Sequence, residues 1–293
     1  MPTFRYRKNI PWFKGNAHIH STASDGGKTV DELARMYAAQ GYHFLFLTDH
    51  WVASHVGGTA TAAPLLLLDG IELHGHDETG ALYHVVGLGS FQGITRDIGF
   101  VAAMEAVRAQ GGLLILAHPL WMGNSFDDAL RHGFDGVEIY NHVCHWLNGK
   151  GNGHAYWNAM LAQAPATLGL AVDDAHIVPA HPGWNGAWIM VQAPACRPQP
   201  IVEAIRAGRF YSSCGPAFLA IEHDEHEVHV RTSPAQFIRL VGPTHHGRRV
   251  GSFGGAAIEA ATFEMPKDWA YAYLEIEDPQ GRRAWTNALF VGE

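Results

Sequence analysis

GNAHIHSTASDGGKT, residues 15–29, carries signals for two different kinds of site. Its end, GGKT, is typical of the tail of a phosphate-binding loop, whereas His18, His20 and Asp25 are residue types that bind metals. The complete phosphate-loop pattern requires a glycine where this chain has Thr22, and that loop follows an apolar strand rather than one with two histidines. We therefore interpret the stretch as a strand and a turn that lead into a helix.

The composition is that of a globular protein, with 293 residues, 47% of them hydrophobic and 16% charged. No apolar run approaches the roughly 18 residues that span a bilayer, and no secretory signal is visible, so we expect a cytoplasmic location. The three cysteines are odd in number and widely spaced, which disfavours a disulfide framework. A net charge of −8 favours neither nucleic acid nor a membrane surface as partner. We expect a small-molecule substrate, and the oligomeric state stays open.

Short apolar runs alternate with helical patterns up to about residue 195. The runs cover residues 16–20, 43–50, 65–73, 83–89, 112–119, 135–142 and 167–176, with 186–193 as a further candidate. Seven or eight strand–helix units predict a largely parallel sheet that closes, or nearly closes, into a barrel. From about residue 218 the runs alternate polar and apolar residues without helical periodicity. We therefore expect an α/β barrel over residues 1–217 and a small antiparallel, sandwich-like β-domain over residues 218–293.

Histidines and carboxylates recur at the ends of these runs. They are His18, His20, Asp49, His50, Glu72, His118, Asn141, His142, Asp174 and His176. In a parallel barrel the carboxyl ends of the strands line one mouth, so these side chains are expected to converge. A single His-x-His pair is more often a pair of hydrogen-bonded polar side chains than a metal site. Six strand ends that carry such polar side chains are different, because burying them all without a metal would cost much free energy. Imidazole and carboxylate suit Zn, Mn and Fe(II). The pattern therefore predicts a divalent-metal centre.

Six motifs, HIHSTASDG, TDH, GIE, HVVGLG, AHP and DAH, follow one another between residues 16 and 176. In this order they resemble the motifs of the PHP (polymerase and histidinol phosphatase) superfamily. The later segments VDDAH, GWNGAWIMV, AIRAGRFYSSCGP and GRRAWTNALFV are similar to its carbaryl-hydrolase-like branch. The resemblance implies a distorted (β/α)7 barrel with two to three divalent ions, Zn, Mn or Fe.

The resemblance also implies which residues hold these ions. The first ion would be held by His18, His20, Glu72 and Asp174. Glu72 would bridge to a second ion, which is completed by His84 and His118. The third ion would be held by Asp25, His50 and His176. Asp25 is a histidine in some relatives, which allows another metal or lower occupancy there. His84 opens its apolar run, so the argument from strand ends does not find it.

Metal-activated hydrolysis is the reaction class that such a centre favours. Two ions that share a carboxylate can lower the pKa of a bridging water so that hydroxide exists at neutral pH. Glu72 and Asp174 are therefore expected to serve catalysis as well as metal binding. Three divalent ions would outweigh three carboxylates, so an anionic substrate, a small phosphate mono- or diester, is expected. His181 is a candidate for substrate contact or for protonating the leaving group.

Two other functions stay open. The same centre could hydrolyse a neutral carboxylic ester, carbamate or amide if aromatic side chains formed an apolar pocket. The candidates are Trp51, Trp121, Trp146, Trp157, Trp184 and Trp188. The third hypothesis is a non-catalytic metal-binding or regulatory module.

We interpret Asp49 as a group that orients a ligand imidazole. A Gly-rich loop offers further substrate contacts, namely Asn141, His142, His145, Lys150 and His154.

Overall fold

The chain has a mixed α/β fold built on one large sheet. The structure, a computed structural model, describes residues 3–56, 63–224 and 226–291. The strands are β1 (Thr3–Phe4), β2 (Trp12–Asn16), β3 (Phe44–Leu47), β4 (Leu66–His76), β5 (Leu82–Leu88), β6 (Leu113–Leu116), β7 (Gly136–Asn141), β8 (Leu168–Val172), β9 (Trp188–Gln192), β10 (Phe210–Ser213), β11 (Phe218–His223), β12 (Glu227–Ala235), β13 (Phe237–Val241), β14 (Gly247–Val250), β15 (Ile258–Glu264), β16 (Tyr273–Glu277), β17 (Arg283–Thr286) and β18 (Phe290–Val291). The helices are α1 (Val30–Ala39), α2 (Phe100–Ala109), α3 (Pro119–Met122), α4 (Phe126–Arg131), α5 (His142–Asn148), α6 (His154–Gln163) and α7 (Pro198–Arg206), with a 3-10 turn at Arg96–Ile98.

Thirteen strands form the large sheet, in the order β14-β13-β16-β17-β10-β9-β2-β3-β4-β5-β6-β7-β8. Strands β2, β3 and β4 are parallel, as are β6, β7 and β8. Strand β5 runs antiparallel to both of its neighbours, β4 and β6. Because β5 is reversed, its first residues lie at the same edge of the sheet as the last residues of the parallel strands. This reversal brings His84 to the edge where the predicted ligands lie.

The predicted closed (β/α)7 barrel is not confirmed. In the described ranges the large sheet is open, with β14 and β8 as its outer strands. The segments that follow β2 and β8 meet at one isolated parallel bridge, between Ile19 and Ala175. Three of the helices, α3, α4 and α5, are shorter than eight residues. The sheet therefore curves until the segment after its outer strand β8 meets the segment after the inner strand β2 at the predicted site, without forming a full ladder there.

The chain after residue 218 forms antiparallel strands, as its alternating pattern predicts. Strands β13, β16 and β17 continue the large sheet, because β17 pairs with β10. Strands β11, β12 and β15 form a separate three-stranded sheet, and β1 pairs with β18. The large sheet is thus continuous across residue 218, and the division into residues 1–217 and 218–293 stays a prediction.

Helix α1 shows why GGKT belongs to a helix start. Thr29 is the N-cap, and its side chain and that of Glu32 form a reciprocal capping box. Leu33 and Tyr37 on the inner face of α1 are buried against the sheet. The interpretation of GGKT as the approach to a helix is confirmed.

The strands that carry the predicted site are deeply buried. Every residue of β3, β6 and β8 is buried, as is typical of parallel strands covered on both faces. Such strands hold their carboxyl ends at fixed positions, which a multi-residue site requires. No helix in the described ranges combines the length and the apolar composition that a membrane crossing requires.

Candidate metal centre

The structure brings the nine predicted ligands together at one edge of the large sheet. Three groups of side chains at this edge have potential ligand atoms within 4.8 Å of one another. The groups are His18, His20, Glu72 and Asp174; His20, Asp25, His50 and His176; and His50, Glu72 and His84. His118 joins them through its Nε2, which lies 3.5 Å from Glu72 and 3.8 Å from Asp174. The groups share members, so they form one continuous cluster.

Glu72 lies at the centre of this cluster. Its side chain is 1% exposed, and its Oε2 lies 3.1 Å from a ring nitrogen of each of three histidines, His18, His20 and His50. None of these approaches has hydrogen-bond geometry, so Oε2 is a buried acceptor without a donor in the described part of the chain. Buried carboxylate oxygens are normally paired with a donor or a cation. Imidazole nitrogens that face Oε2 without donating to it fit the arrangement of ligands around a cation.

The second oxygen of Glu72 faces a different set of imidazoles. Oε1 lies 2.8 Å from Nδ1 of His84 and 3.5 Å from Nε2 of His118. The two oxygens of this carboxylate therefore lie next to two different groups of imidazole nitrogens. A carboxylate that bridges two ions has this arrangement.

Asp174 and Asp25 extend the cluster on either side of His20. Oδ1 of Asp174 lies 3.1 Å from His20 Nε2 and 3.3 Å from His18 Nε2. Asp25, half exposed, lies 3.5 Å from the other ring nitrogen of His20, 3.7 Å from His50 and 3.4 Å from His176. His20 thus presents one nitrogen to each carboxylate.

Hydrogen bonds fix the ring orientation of two of the predicted ligands. Nδ1 of His18 lies 2.6 Å from Glu138, which leaves Nε2 to face Glu72 and Asp174. Nδ1 of His176 donates to the backbone carbonyl of Asp174 at 2.9 Å, and its Nε2 faces Asp25. Metal-ligating histidines commonly donate their second nitrogen to a carboxylate or a carbonyl in this way.

Glu138 is a site residue that the sequence analysis missed. It lies within β7, 1% exposed, and its Oε1 contacts His18. Its Oε2 accepts from the backbone N–H of His118 and from the Asn141 amide, both at 2.8 Å. The Asn141 amide also donates to Asp174 at 3.1 Å. Glu138 and Asn141 therefore position three of the predicted ligands. The available signal was a carboxylate in an otherwise apolar run, GVEIY.

His74 was also missed. It lies on β4 opposite His84, and its Nδ1 is 3.2 Å from Nδ1 of His50. The ring stacks on His84 with centroids 5.2 Å apart. The sequence signal was the run ELHGH, in which His74 lies two residues after Glu72 on the same strand face.

Asp49 supports the site in a different way from the one predicted. Its carboxylate accepts from the backbone and the hydroxyl of Ser21, at 2.8 and 2.7 Å, and from the hydroxyl of Ser24 at 2.7 Å. These bonds fix the turn between His20 and Asp25. Gly26 ends this turn, and the backbone there packs so closely that a Cβ would lie 2.3 Å from the carbonyl oxygen of His20. The turn therefore requires glycine at this position.

The backbone is left-handed at three non-glycine residues of the site. The φ angles are 56° at Trp51, which follows His50, 28° at His118 and 55° at Asp174. Non-glycine residues rarely adopt this conformation, and such residues cluster at functional sites.

The charges of the cluster favour a cation. Burial raises the pKa of Glu72 and Asp174, but the neighbouring histidines, His18 foremost, outweigh it and hold both pKa values well below the usual range. Burial lowers the pKa of His20, but its hydrogen bond to Asp174 and the negative charges of Glu72 and Asp174 outweigh burial and raise the pKa to about 9. The carboxylates stay charged and draw positive charge to the imidazoles. The donor set of imidazole nitrogens and carboxylate oxygens fits divalent cations.

A small cavity of about 170 Å³ opens onto the cluster. One wall consists of predicted ligands, and the other is largely apolar, with Trp121, Val143, Cys144 and Leu147. His181 also lines the cavity; its ring lies 5.5 Å from that of His176, and its Nδ1 is buried without a partner in the described part.

Several of the other predicted contacts lie away from this cavity. Trp157 is fully buried in the core, Trp146 is exposed, and Trp184 and Trp188 pack beside α1. His154 hydrogen-bonds the hydroxyl of Tyr273 at 3.0 Å. Of the six tryptophans only Trp121 lines this cavity, within the described residues.

Comparison with known proteins gives a likeness of fold. No family model and no curated protein sequence matches the chain. A solved two-domain protein from Bacteroides vulgatus, which contains a predicted PHP-like metal-dependent phosphoesterase, aligns over 98% of both chains with a TM-score of 0.56 and 13% identity. An amidohydrolase from Chromobacterium violaceum, solved with bound sulfate and no metal, aligns over 67% of this chain and 96% of its own, with a TM-score of 0.39 and 16% identity. The chain thus shares its overall fold with the two-domain protein along nearly its whole length.

Proposed function

We propose that the protein is a metal-dependent hydrolase of the PHP superfamily, in its carbaryl-hydrolase-like branch, and that its substrate is a small phosphate mono- or diester. One observation carries the proposal: the two oxygens of buried Glu72 face separate groups of imidazole nitrogens, and Oε2 has no donor among the described residues. The likeness in fold to a two-domain protein that contains a predicted PHP-like phosphoesterase supports the superfamily assignment. A distorted barrel and a division of the chain near residue 218 are part of the proposal. The cytoplasmic location and the absence of nucleic-acid or membrane partners stay predictions.

The proposed ligands follow the three groups in the cluster. His18, His20, Glu72 and Asp174 would hold one ion, Glu72 with His84 and His118 a second, and Asp25, His50 and His176 a third. Zn, Mn and Fe(II) all suit these nitrogen and oxygen donors. Bound divalent ions would lower the pKa of water and offset the charge of the group under attack.

The chain's own residues would orient the substrate and handle the leaving group. Glu72 and Asp174 fix the separation of the ligand groups, because each contacts several imidazoles at once. His181 lines the cavity without being part of a ligand group, and we propose that it donates a proton to the leaving oxygen. Three ions outweigh three carboxylates, which favours an anionic substrate.

The apolar wall of the cavity favours a second candidate. Trp121, Val143, Cys144 and Leu147 face the cluster, which suits the apolar part of a carboxylic ester, carbamate or amide. The same metal centre would serve that reaction. We still favour phosphate esters as substrates, because the metal-loaded centre would carry a net positive charge that attracts an anion.

Elemental analysis followed by assay of the same preparation tests the proposal. The purified protein is expected to contain two to three divalent ions per chain and to hydrolyse aryl phosphates or phosphodiesters faster than aryl carboxyl esters. Glu72→Ala is expected to lose metal and activity together. Glu275→Gln, a buried carboxylate of β16, serves as the control and is expected to keep both. Full metal content and activity in Glu72→Ala would contradict the bridged centre, and activity on neutral esters alone would reject the phosphate assignment.

A further inference from the structure

A second cavity adjoins the proposed metal centre. Its volume is about 470 Å³, which is within the usual range for small-molecule sites. The lining residues are Ser24, Asp25, His50, His74, His84 and Arg96. Asp25, His50 and His84 also line the 170 Å³ cavity, so the two cavities meet at proposed ligands. The side chains of Arg96 and Ser24 are not required by any of the three proposed ion sites.

Arg96 brings a positive charge to this cavity. It is exposed in the short 3-10 turn before α2, and no carboxylate of the described residues forms an ion pair with it. The guanidinium lies 5.9 Å from the ring centroid of Trp51, a distance at which the ring attracts a cation. Trp51 itself directly follows His50, so this contact holds Arg96 beside the proposed centre.

The carboxylate within this cavity is already engaged. Asp25 lies within reach of three histidines, the nearest being His176 at 3.4 Å, and belongs to a proposed ligand group. Arg96 is therefore the group in the cavity that is free to bind a ligand's charge. A guanidinium binds phosphate and carboxylate through paired N–H donors in a planar fork.

We propose that Arg96 binds a second oxyanion of the substrate, a phosphate or carboxylate that is not itself hydrolysed. This inference rests on the proposed function, and it narrows the substrate class to small esters with two anionic groups. The scissile group would lie where the two cavities meet, beside Glu72 and His84. The second oxyanion would occupy the larger cavity, and the 170 Å³ cavity with its apolar wall would hold the remaining part of the ester.

Calorimetric titration with compounds that cannot be hydrolysed tests the inference without relying on turnover. The probes are propane-1,3-bisphosphonate and 3-phosphonopropionate, which carry two anionic groups, and propylphosphonate, which carries one. The metal-loaded wild-type protein is expected to bind the first two roughly tenfold or more tightly than propylphosphonate. Elemental analysis after each titration checks that the probes leave the ions in place.

Three variants show whether Arg96 is the cause. Arg96→Met is expected to lose the preference for two anionic groups while keeping its affinity for propylphosphonate and its metal content. Arg96→Lys keeps the charge but not the planar fork, and is expected to retain part of the preference. Arg249→Ala removes one exposed positive charge from β14, at the far edge of the sheet, and is expected to behave as wild type.

The outcomes separate this inference from the proposed function. Equal binding of all three probes by the wild type, or an unchanged preference in Arg96→Met, overturns the inference even if phosphate esters are hydrolysed. A preference that depends on Arg96, in a protein that hydrolyses no phosphate ester, supports the anion site and rejects the proposed function.

Discussion

Glu138 provides the sharpest test of how the candidate centre is held, because it touches the proposed ligands without being one of them. Its Oε1 accepts from His18, and its Oε2 accepts from the His118 backbone and the Asn141 amide. Glu138→Gln keeps the shape of the side chain but supplies only one acceptor oxygen. If the amide oxygen faces His18, the new NH2 group faces two donors. If the NH2 group faces His18, the imidazole must carry its proton on Nε2, the nitrogen that faces Glu72.

The expected cost follows from this mismatch. Loss of a carboxylate partner behind a ligating histidine lowers metal affinity by about 10- to 100-fold. That range corresponds to about 1.4 to 2.7 kcal/mol of binding free energy. A mispaired buried donor also lowers the stability of the metal-free protein, by about 1 to 3 kcal/mol. Glu138→Gln is therefore expected to weaken metal binding and to lower the Tm of the metal-free form.

Metal affinity is measured by competition with a chromogenic chelator at neutral pH, and Tm is measured on the same samples after metal removal. Glu275→Gln is the matched control, because Glu275 is also a buried carboxylate that accepts from two donors, Trp285 and Arg239. It is expected to lower Tm and to leave metal affinity unchanged. Equal metal affinities of Glu138→Gln and wild type, within about threefold, would refute the positioning role of Glu138.

Three further perturbations test the surroundings of the site. His74→Ala removes the contact with His50 and is expected to lower the affinity for the most loosely held ion about tenfold. The number of bound ions is measured by elemental analysis after dialysis. An unchanged number of ions per chain at limiting metal contradicts this expectation. Gly26→Ala is expected to displace the turn before α1 and to lower both Tm and metal content, whereas Gly247→Ala, where the added Cβ meets nothing closer than 3.5 Å, leaves both unchanged. Asp77→Asn is expected to cost about 1.5 to 3 kcal/mol at pH 7, because it weakens the bonds from Arg131 and Thr79. Burial raises the pKa of Asp77, but these donors outweigh burial and hold the pKa in the folded state below the unfolded value near 4. The stability that charged Asp77 contributes is therefore present above about pH 4 and is lost as the pH falls below that value. The free energy of unfolding is measured with denaturant at pH 7 and at about pH 3. If Asp77→Asn lowers it by the same amount at both pH values, the stabilising role of the Asp77 charge is contradicted.

The sequence predicts the local features of the site because short-range chemistry determines them. His18 and His20 share a strand face through the two-residue repeat of a strand, and Thr29 with Glu32 forms a capping box whatever lies around it. The convergence of distant ligands follows from the rule that parallel strand ends meet at one edge. In the structure, the predicted ligands do lie together there.

The direction and partners of strands are not visible in the same way, because they depend on contacts between distant segments. The run at residues 83–89 looks like its neighbours in the sequence, yet β5 is antiparallel to both β4 and β6. The alternating pattern after residue 218 predicts antiparallel strands but does not show that β17 pairs with β10. Glu138 was missed for a related reason, since its role depends on contacts with His18 and the backbone of His118, which are 120 and 20 residues away along the chain.

The positive φ angles at Trp51, His118 and Asp174 connect the fold to the site. Each such residue costs on the order of 1 kcal/mol or more, so a chain that needed only a stable sheet would avoid them. All three lie two to four residues after the end of a buried strand, β3, β6 or β8, and each is a proposed ligand or directly follows one. At such points a left-handed residue turns the chain sharply, which keeps the adjacent side chain over the end of the sheet. The strain therefore falls on the positions where the cluster is assembled, as expected if these residues serve the site rather than stability.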